Sequence, residues 1–245
     1  ENNLHTICTS GKCPNIGECW NRRTATFMIL GEICTRSCKF CGVQTGKPKP
    51  IDPDEPARIA HAIHIMGIRH AVITSVDRDD LQDGGAKIWV ETIRKVKDKN
   101  PGITIETLIP DFNGIHSLLD KIIEQQPEVI SHNLETVKRL TPKIRSKAKY
   151  KRSLQVIEHL AASGINAKSG IMGVLGETDN EIYQRMDDLI EVGCKIFTIG
   201  QYLQPTPGHI AIDRFIEPWK FKQYKMKGLE KGFQFVESGP LVRSS

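Results

Sequence analysis

The sequence predicts an α/β protein whose parallel sheet closes, or nearly closes, into a barrel. Three observations carry this. From residue 24 onward, short apolar runs alternate with amphipathic stretches, which is the signature of βαβ units. Six or seven such units follow one another, enough for right-handed crossovers to carry the sheet round on itself. The joints between them hold the residues that start and stop helices. An open doubly wound sheet is the other arrangement this alternation permits, and the two stay open at this point.

In chain order, strands are expected over 25–30, 71–74, 104–109, 129–131, 167–172, 196–199 and 233–236. Each is a short, apolar, β-like run. Helices are expected over 55–66, 86–97, 115–125, 154–162, 181–192 and 219–231, where apolar residues recur on one face. Asp83-Gly84-Gly85 precedes the second helix, with Asp83 as the expected N-cap. Thr178-Asp179-Asn180-Glu181 has capping-box spacing. Gly164 and Gly193 stand where helices end. Pro50, Pro53 and Pro56 mark a stiff link. Residues 1–23 show no periodicity and are rich in Cys, Asn, Gly and Arg; metal ligation is what would order such a segment.

With 245 residues, 39% hydrophobic and 26% charged, the chain has the balance of a folded domain. No stretch reaches the length of a membrane span. The sequence begins at Glu1 and ends at Ser245, and is read as trimmed at both ends. Net charge is +5, and the excess is local. Between Lys138 and Arg152 lie eight basic residues (Lys138, Arg139, Lys143, Arg145, Lys147, Lys149, Lys151, Arg152) and no acidic one. A solvated face and a docking surface for an acidic partner or a nucleic acid both account for that run.

Seven cysteines, six of them within the first 41 residues, point to metal and a reducing compartment rather than to a disulfide framework. Cys194 stands apart and reads as a small buried hydrophobe. Cys34-x3-Cys38-x2-Cys41 follows the first strand, where a βα barrel carries its chemistry. Three thiolates hold a cubane cluster and leave one iron open, whereas a closed electron-transfer cluster takes four. Zinc is the competing occupant, but it favours paired Cys-x2-Cys units that total four ligands. The other triad, Cys8-x4-Cys13-x5-Cys19, has an uncommon spacing.

The stretch Gly31-Glu32-Ile33-Cys34-Thr35-Arg36-Ser37-Cys38-Lys39-Phe40-Cys41 resembles the cluster motif of radical S-adenosylmethionine enzymes. Further stretches resemble the lipoyl synthase family over nearly the whole chain. They are Cys13-Pro14-Asn15-Ile16-Gly17-Glu18-Cys19-Trp20, Thr74-Ser75-Val76-Asp77-Arg78-Asp79-Asp80-Leu81 and His132-Asn133-Leu134-Glu135-Thr136, then Thr198-Ile199-Gly200-Gln201-Tyr202-Leu203-Gln204-Pro205 and Gly239-Pro240-Leu241-Val242-Arg243-Ser244-Ser245. One departure stands out: the family's Met-Val-Gly-Leu-Gly-Glu order reads Met172-Gly173-Val174-Leu175-Gly176-Glu177 here, with a glycine displaced by one position.

The resemblance implies a partial (β/α)6-type TIM barrel over 24–216, an auxiliary-cluster segment over 1–23, and a C-terminal extension over 217–245 that closes on the auxiliary cluster. It implies two 4Fe–4S clusters and S-adenosylmethionine as cofactors. Cys34, Cys38 and Cys41 would hold the cluster that cleaves S-adenosylmethionine to methionine and a 5′-deoxyadenosyl radical. Cys8, Cys13 and Cys19 would hold the auxiliary cluster, with Ser245, or failing it Ser244, as fourth ligand and with the cluster as sulfur donor. The reaction implied is sulfur insertion at C6 and C8 of a protein-bound octanoyl-lysine. Their unactivated C–H bonds lie beyond any side-chain base near neutral pH. Thr74, Ser75, Asp77, Asn133, Glu135, Lys168, Gly170, Gln201, Leu203 and Gln204 at successive strand ends would cradle S-adenosylmethionine. The implied partners are an octanoylated lipoyl carrier (the glycine cleavage H protein or an E2 lipoyl domain) and a ferredoxin or flavodoxin electron donor. No nucleic acid and no membrane are expected, and the location is cytoplasmic, or mitochondrial in a eukaryote. The competing functions are another radical S-adenosylmethionine sulfurtransferase acting on RNA, and a structural zinc or iron–sulfur module.

Overall fold

The computed structural model describes residues 5–6 and 23–243. The seven expected strands begin within two residues of their expected positions with helices in the intervals, and three two-residue strands that the sequence pattern does not announce add to them. The chain divides into two units. One holds Gly42–Ile130 together with the described residues up to Arg36; the other holds Ser37–Cys41 and the chain from Ser131 on.

In the first unit, β1 (His5–Thr6) pairs antiparallel with β2 (Thr24–Ile29). A two-residue pair, β3 (Ile33–Cys34) and β4 (Gln44–Thr45), brackets the cysteine loop. Helix α1 (Glu55–Ile65) takes Pro56 into its first turn, where the missing N–H costs nothing. β5 (His70–Ser75) runs parallel to β2, and Ala71, Val72 and Ile73 are buried on both faces, as in a strand covered on two sides. Helix α2 (Ala86–Lys99) buries Ala86, Trp89, Ile93 and Val96 as one stripe. Its N-cap position falls on Gly85 in the left-handed region rather than on Asp83. The Asp83 carboxylate still accepts from the Gly85 amide at 2.9 Å and the Lys87 amide at 3.0 Å. β6 (Thr104–Leu108), parallel to β5, is followed by α3 (His116–Ile123) and β7 (Val129–Ser131), and the strand order is β1-β2-β5-β6-β7. α3 is shorter than its pattern at both ends, because Ile115 is extended and Gln126 turns left-handed.

The second unit opens with a four-residue helix, α4 (Thr141–Ile144), that the sequence pattern does not announce. α5 (Tyr150–Ala162) starts a turn earlier than expected, since Ser153 is buried along with Val156, Ile157 and Leu160. β8 (Asn166–Gly173), α6 (Asp179–Glu191), β9 (Ile196–Gln201), α7 (Pro218–Lys231) and β10 (Phe235–Gly239) complete it. β8, β9 and β10 are parallel neighbours in that order. Gly164 and Gly193 follow α5 and α6 with positive φ, as expected. β10 begins two residues late. Phe233 is spent stacking on Phe197, with centroids 5.3 Å apart, before the strand registers.

Candidate functional site

The chain leaves β2 through Leu30 and Gly31, both with positive φ. The buried Glu55 carboxylate holds this turn, accepting from the Leu30 amide at 2.7 Å and the Gly31 amide at 3.3 Å. Arg78 donates to the Leu30 carbonyl at 3.3 Å. The Leu30 side chain packs on Gly85, where a Cβ would meet it at 2.4 Å. Cys34 therefore follows a fixed exit from a strand.

Behind Cys34 lies a cluster that the sequence reading did not single out. Arg36, only 6% exposed, donates to Asp79 at 2.8 and 2.7 Å and to Asp111 at 2.8 Å, with Asp77 3.4 Å from its third nitrogen. Burial works against this charge, but Asp79, Asp77 and Asp111 together outweigh it and hold the guanidinium above its ordinary pKa. The Arg36 and Asp77 amides both donate to Cys34 Sγ, at 3.4 and 3.3 Å. Of the residues predicted to hold S-adenosylmethionine in this unit, Thr74 gives its hydroxyl to the Leu108 carbonyl at 3.2 Å. Ser75 Oγ is buried with no hydrogen-bond partner among the described residues, and Asp77 is drawn into the Arg36 cluster.

Cys38 and Cys41 belong to the second unit. Cys38 bridges Arg145 antiparallel, and the Lys39 amide donates to the Ile144 carbonyl at 3.0 Å. On the other flank, the Ile210 amide donates to the Lys39 carbonyl at 3.0 Å, and His209 Nε2 lies 3.0 Å from the Cys41 carbonyl. His209 Nδ1 is 2.8 Å from the Thr206 hydroxyl, and Gln204 donates to the His209 carbonyl at 2.9 Å. The short loop with two cysteines is thus stitched to the exits of α4 and β9. Cys34, Cys38 and Cys41 are half-buried, whereas Cys194 is buried, its thiol pushed up to about 12 by desolvation.

At the exit of β7, Asn133 and Glu135 flank Leu134. Asn133 is buried with Oδ1 lacking a partner among the described residues. Glu135 has φ 65° and bridges β8 through the Gly170 carbonyl and the Met172 amide, at 3.0 and 2.9 Å. Burial raises the Glu135 carboxyl above its usual range, with Arg145 and Asn133 pulling the other way. Arg145 donates to the Asn133 carbonyl at 2.9 Å, so the cysteine loop and this strand exit share one anchor. Lys168 and Gly170, two apart, share a face of β8.

The Gln201 side chain is occupied: it accepts from the Ile216 amide at 3.0 Å and donates to the Tyr202 carbonyl at 3.2 Å. Its backbone carbonyl accepts from Arg243 at 3.2 Å. Leu203 is exposed. The displaced glycine has a packing reason, since a Cβ on Gly173 would lie 2.6 Å from Ile216 Cδ1. The turn after it, with Val174 at φ 83°, is held by the buried Glu177 carboxylate on the Val174 and Leu175 amides. Cys8, Cys13, Cys19, Ser244 and Ser245 lie outside the described residues. Among the described residues no three His, Cys, Asp or Glu gather as they would around one metal ion.

The donor set nonetheless suits an iron–sulfur cluster and a nucleoside. It offers three reachable thiols on one short loop. In each unit taken by itself a buried strand-exit oxygen, Ser75 Oγ in the first and Asn133 Oδ1 in the second, lacks a partner among the described residues, where a polar ligand removes the cost of leaving it unpaired.

Comparison with known proteins agrees. Residues 28–189 match the radical SAM superfamily. A lipoyl synthase of Bacteroides fragilis (strain YCH46) is 62% identical over 242 residues, covering 99% of this chain and 84% of that protein. A lipoyl synthase of Flavobacterium johnsoniae is 60% identical over 243 residues, covering 99% and 84%. Among solved structures, methylornithine synthase (PylB) superposes with a TM-score of 0.65 at 14% identity, covering 91% of this chain and 73% of that one. The hydrogenase maturase HydG of Carboxydothermus hydrogenoformans gives 0.66 at 14%, covering 91% and 61%. These two share the fold.

Proposed function

The chain belongs to the lipoyl synthase family of the radical SAM superfamily, and from that premise we propose how its residues divide the work. It is a partial-barrel radical enzyme that uses 4Fe–4S clusters and S-adenosylmethionine to insert sulfur in lipoyl formation. Together these cofactors supply hydrogen-atom abstraction, which unactivated C–H bonds require and which side chains do not provide.

The chain's own task is holding and aligning. Cys34, Cys38 and Cys41 hold the cluster that cleaves S-adenosylmethionine. Cys8, Cys13, Cys19 and Ser245 hold the auxiliary cluster that gives up sulfur, with 1–23 and 217–245 serving that cluster and 24–216 the barrel. Asn133 and Glu135 take the ribose hydroxyls, Thr74, Ser75 and Asp77 the methionine end, and Lys168, Gly170 and the 201–204 backbone the nucleoside. The single observation that carries this reading is the identity of 62% over 99% of the chain, with the three half-buried thiols placed just after β2.

A lipoyl-carrier protein is the substrate. We assign its docking to the exposed lysines of the basic run, Lys147 and Lys149 among them, because an acidic carrier domain complements them. An H protein or E2 lipoyl domain, a ferredoxin or flavodoxin donor, and a cytoplasmic setting complete the proposal. No helix among the described residues is long and apolar enough to cross a membrane.

The test is isotopic. Octanoyl-lysine peptide deuterated at C6 and C8 is expected to send label into 5′-deoxyadenosine. Cys34→Ala should abolish cofactor cleavage, while Cys8→Ala should abolish sulfur insertion and leave part of the cleavage. Equal loss of cleavage in both would end the division of labour, and label moving only from RNA would end the lipoyl reading.

A further inference from the structure

Arg36 sits between two proposed cluster ligands, yet holding the cluster does not by itself require it. Its surroundings form two clasps on one backbone segment. The first is Thr35: its amide donates to the Asp77 carbonyl at 3.0 Å, its hydroxyl donates to the same carbonyl at 2.9 Å, and that hydroxyl accepts from the Asp79 amide at 3.1 Å. The second is Arg36, whose fork closes on the Asp79 carboxylate and also reaches Asp111, 1% exposed. Adjoining the clasps, the Asp77 amide lies 3.3 Å from Cys34 Sγ, and the Arg36 amide lies 3.4 Å from the same sulfur.

We infer that Thr35 and Arg36 are a positioning pair that fixes two N–H donors on Cys34 Sγ and thereby sets the reduction potential of the cluster Cys34 helps to hold. The inference rests on the reading of Cys34 as a cluster ligand. Hydrogen bonds to the ligating sulfurs and nearby net charge are two of the levers that set such a potential. An N–H donor stabilises the more electron-rich reduced state, so losing one moves the couple to more negative values. The second lever is present too. Asp77 Oδ2 is 3.8 Å from Cys34 Sγ, and a carboxylate so close disfavours adding an electron. Arg36 offsets that charge while its planar fork fixes direction, which a lysine does not reproduce. An ion pair serving only the fold would leave the cluster's potential indifferent to how the fork is satisfied.

The test uses the reconstituted full chain, titrated anaerobically and read by the electron paramagnetic signal of the reduced state. Thr35→Val removes the two hydroxyl bonds of the first clasp, leaving its amide bond, with no change of charge and nearly no change of shape. Arg36→Lys keeps the charge and removes the fork. At the potential where half of the parent cluster is reduced, each variant is expected to show a reduced-to-oxidised ratio lower by about tenfold, 59 mV for one electron. Iron and sulfide content should match the parent. A combined effect of Arg36→Gln larger than that of Arg36→Lys isolates the charge from the fork.

Parental midpoints in both Thr35→Val and Arg36→Lys overturn the positioning role. If the Arg36 variants fail to fold, Thr35→Val alone decides on the same criterion. The wave is assigned by its loss in Cys34→Ala. Its persistence there would overturn the ligand assignment itself, a failure distinct from unchanged midpoints in the two clasp variants.

Discussion

At the scale of single residues, Thr178, Glu181 and Arg139 make a connected set at the start of α6. Thr178 accepts from the Glu181 amide, Glu181 returns the bond to the Thr178 amide at 2.9 Å, and Arg139 closes on the same carboxylate at 2.8 and 3.0 Å. Arg139 first, then the Thr178 amide, hold the Glu181 carboxyl down at about 2 from an ordinary 4.5. A lowered folded-state pKa stabilises above the unfolded value and is lost as pH falls through the folded one. Acid unfolding curves of the parent should therefore steepen between pH 4.5 and 2, and Glu181→Gln should flatten that segment. Thr178→Ala should cost about 1 kcal/mol and lower the melting temperature by roughly 2–4 °C, both read by thermal denaturation. This capping box is legible in the sequence because all its partners lie within one turn. The Arg36 cluster is not, because Asp79 and Asp111 stand 43 and 75 residues away, with Asp77 just short of Asp79, and no local pattern pairs them.

At the scale of elements, β9 and the chain's last described residues meet at Gly200. A Cβ there would lie 2.0 Å from the backbone oxygen of Val242, and backbone does not yield as a side-chain tip does. Gly173 is the milder case, since its neighbour is the flexible end of Ile216. Gly200→Ala should therefore dislodge 240–243 from β9, seen as faster proteolysis after Arg243 with the melting temperature nearly held. On the proposed division of labour it should also lower sulfur insertion more than cofactor cleavage, measured as lipoyl product per 5′-deoxyadenosine. The seven longer strands and most helices are readable from periodicity alone, whereas β1, β3 and β4, two residues each, carry no period. α4 was not, because four residues carry no period. The late start of β10 was hidden because Phe233 looks like a strand residue and serves as a stacking one.

At the scale of the molecule, the net charge of +5 gathers on one run, and Lys138, Lys149 and Lys151 line a cavity of about 540 Å³ together with Pro142, Ala148 and Leu154. Charge reversal at Lys147 and Lys149 should weaken binding to an acidic lipoyl carrier in a salt-dependent way, because surface charge acts through screened fields. Turnover of a short octanoyl-lysine peptide should stay unchanged. Titration calorimetry at two salt concentrations checks this, and equal carrier affinity in parent and variant would remove the docking assignment. The alternation of strands and helices carried the fold class, and the thiol spacing carried the chemistry. What stayed illegible was which part of the fold each cysteine belongs to, since that is decided by bonds such as Lys39 to Ile144 that spacing does not encode.

Those bonds bear on the order of events during synthesis. Residues 37–41 emerge from the ribosome early, but the groups that seat them, around Ile144, Arg145, His209 and Ile210, emerge much later. Until then Cys38 and Cys41 sit on a loop whose own partners do not yet exist. A nascent chain halted before residue 209 would expose these thiols to oxidation and to adventitious metal. The seat of Cys38 and Cys41 is therefore complete only once residues 209 and 210 are in place, although the two cysteines stand in the first fifth of the chain.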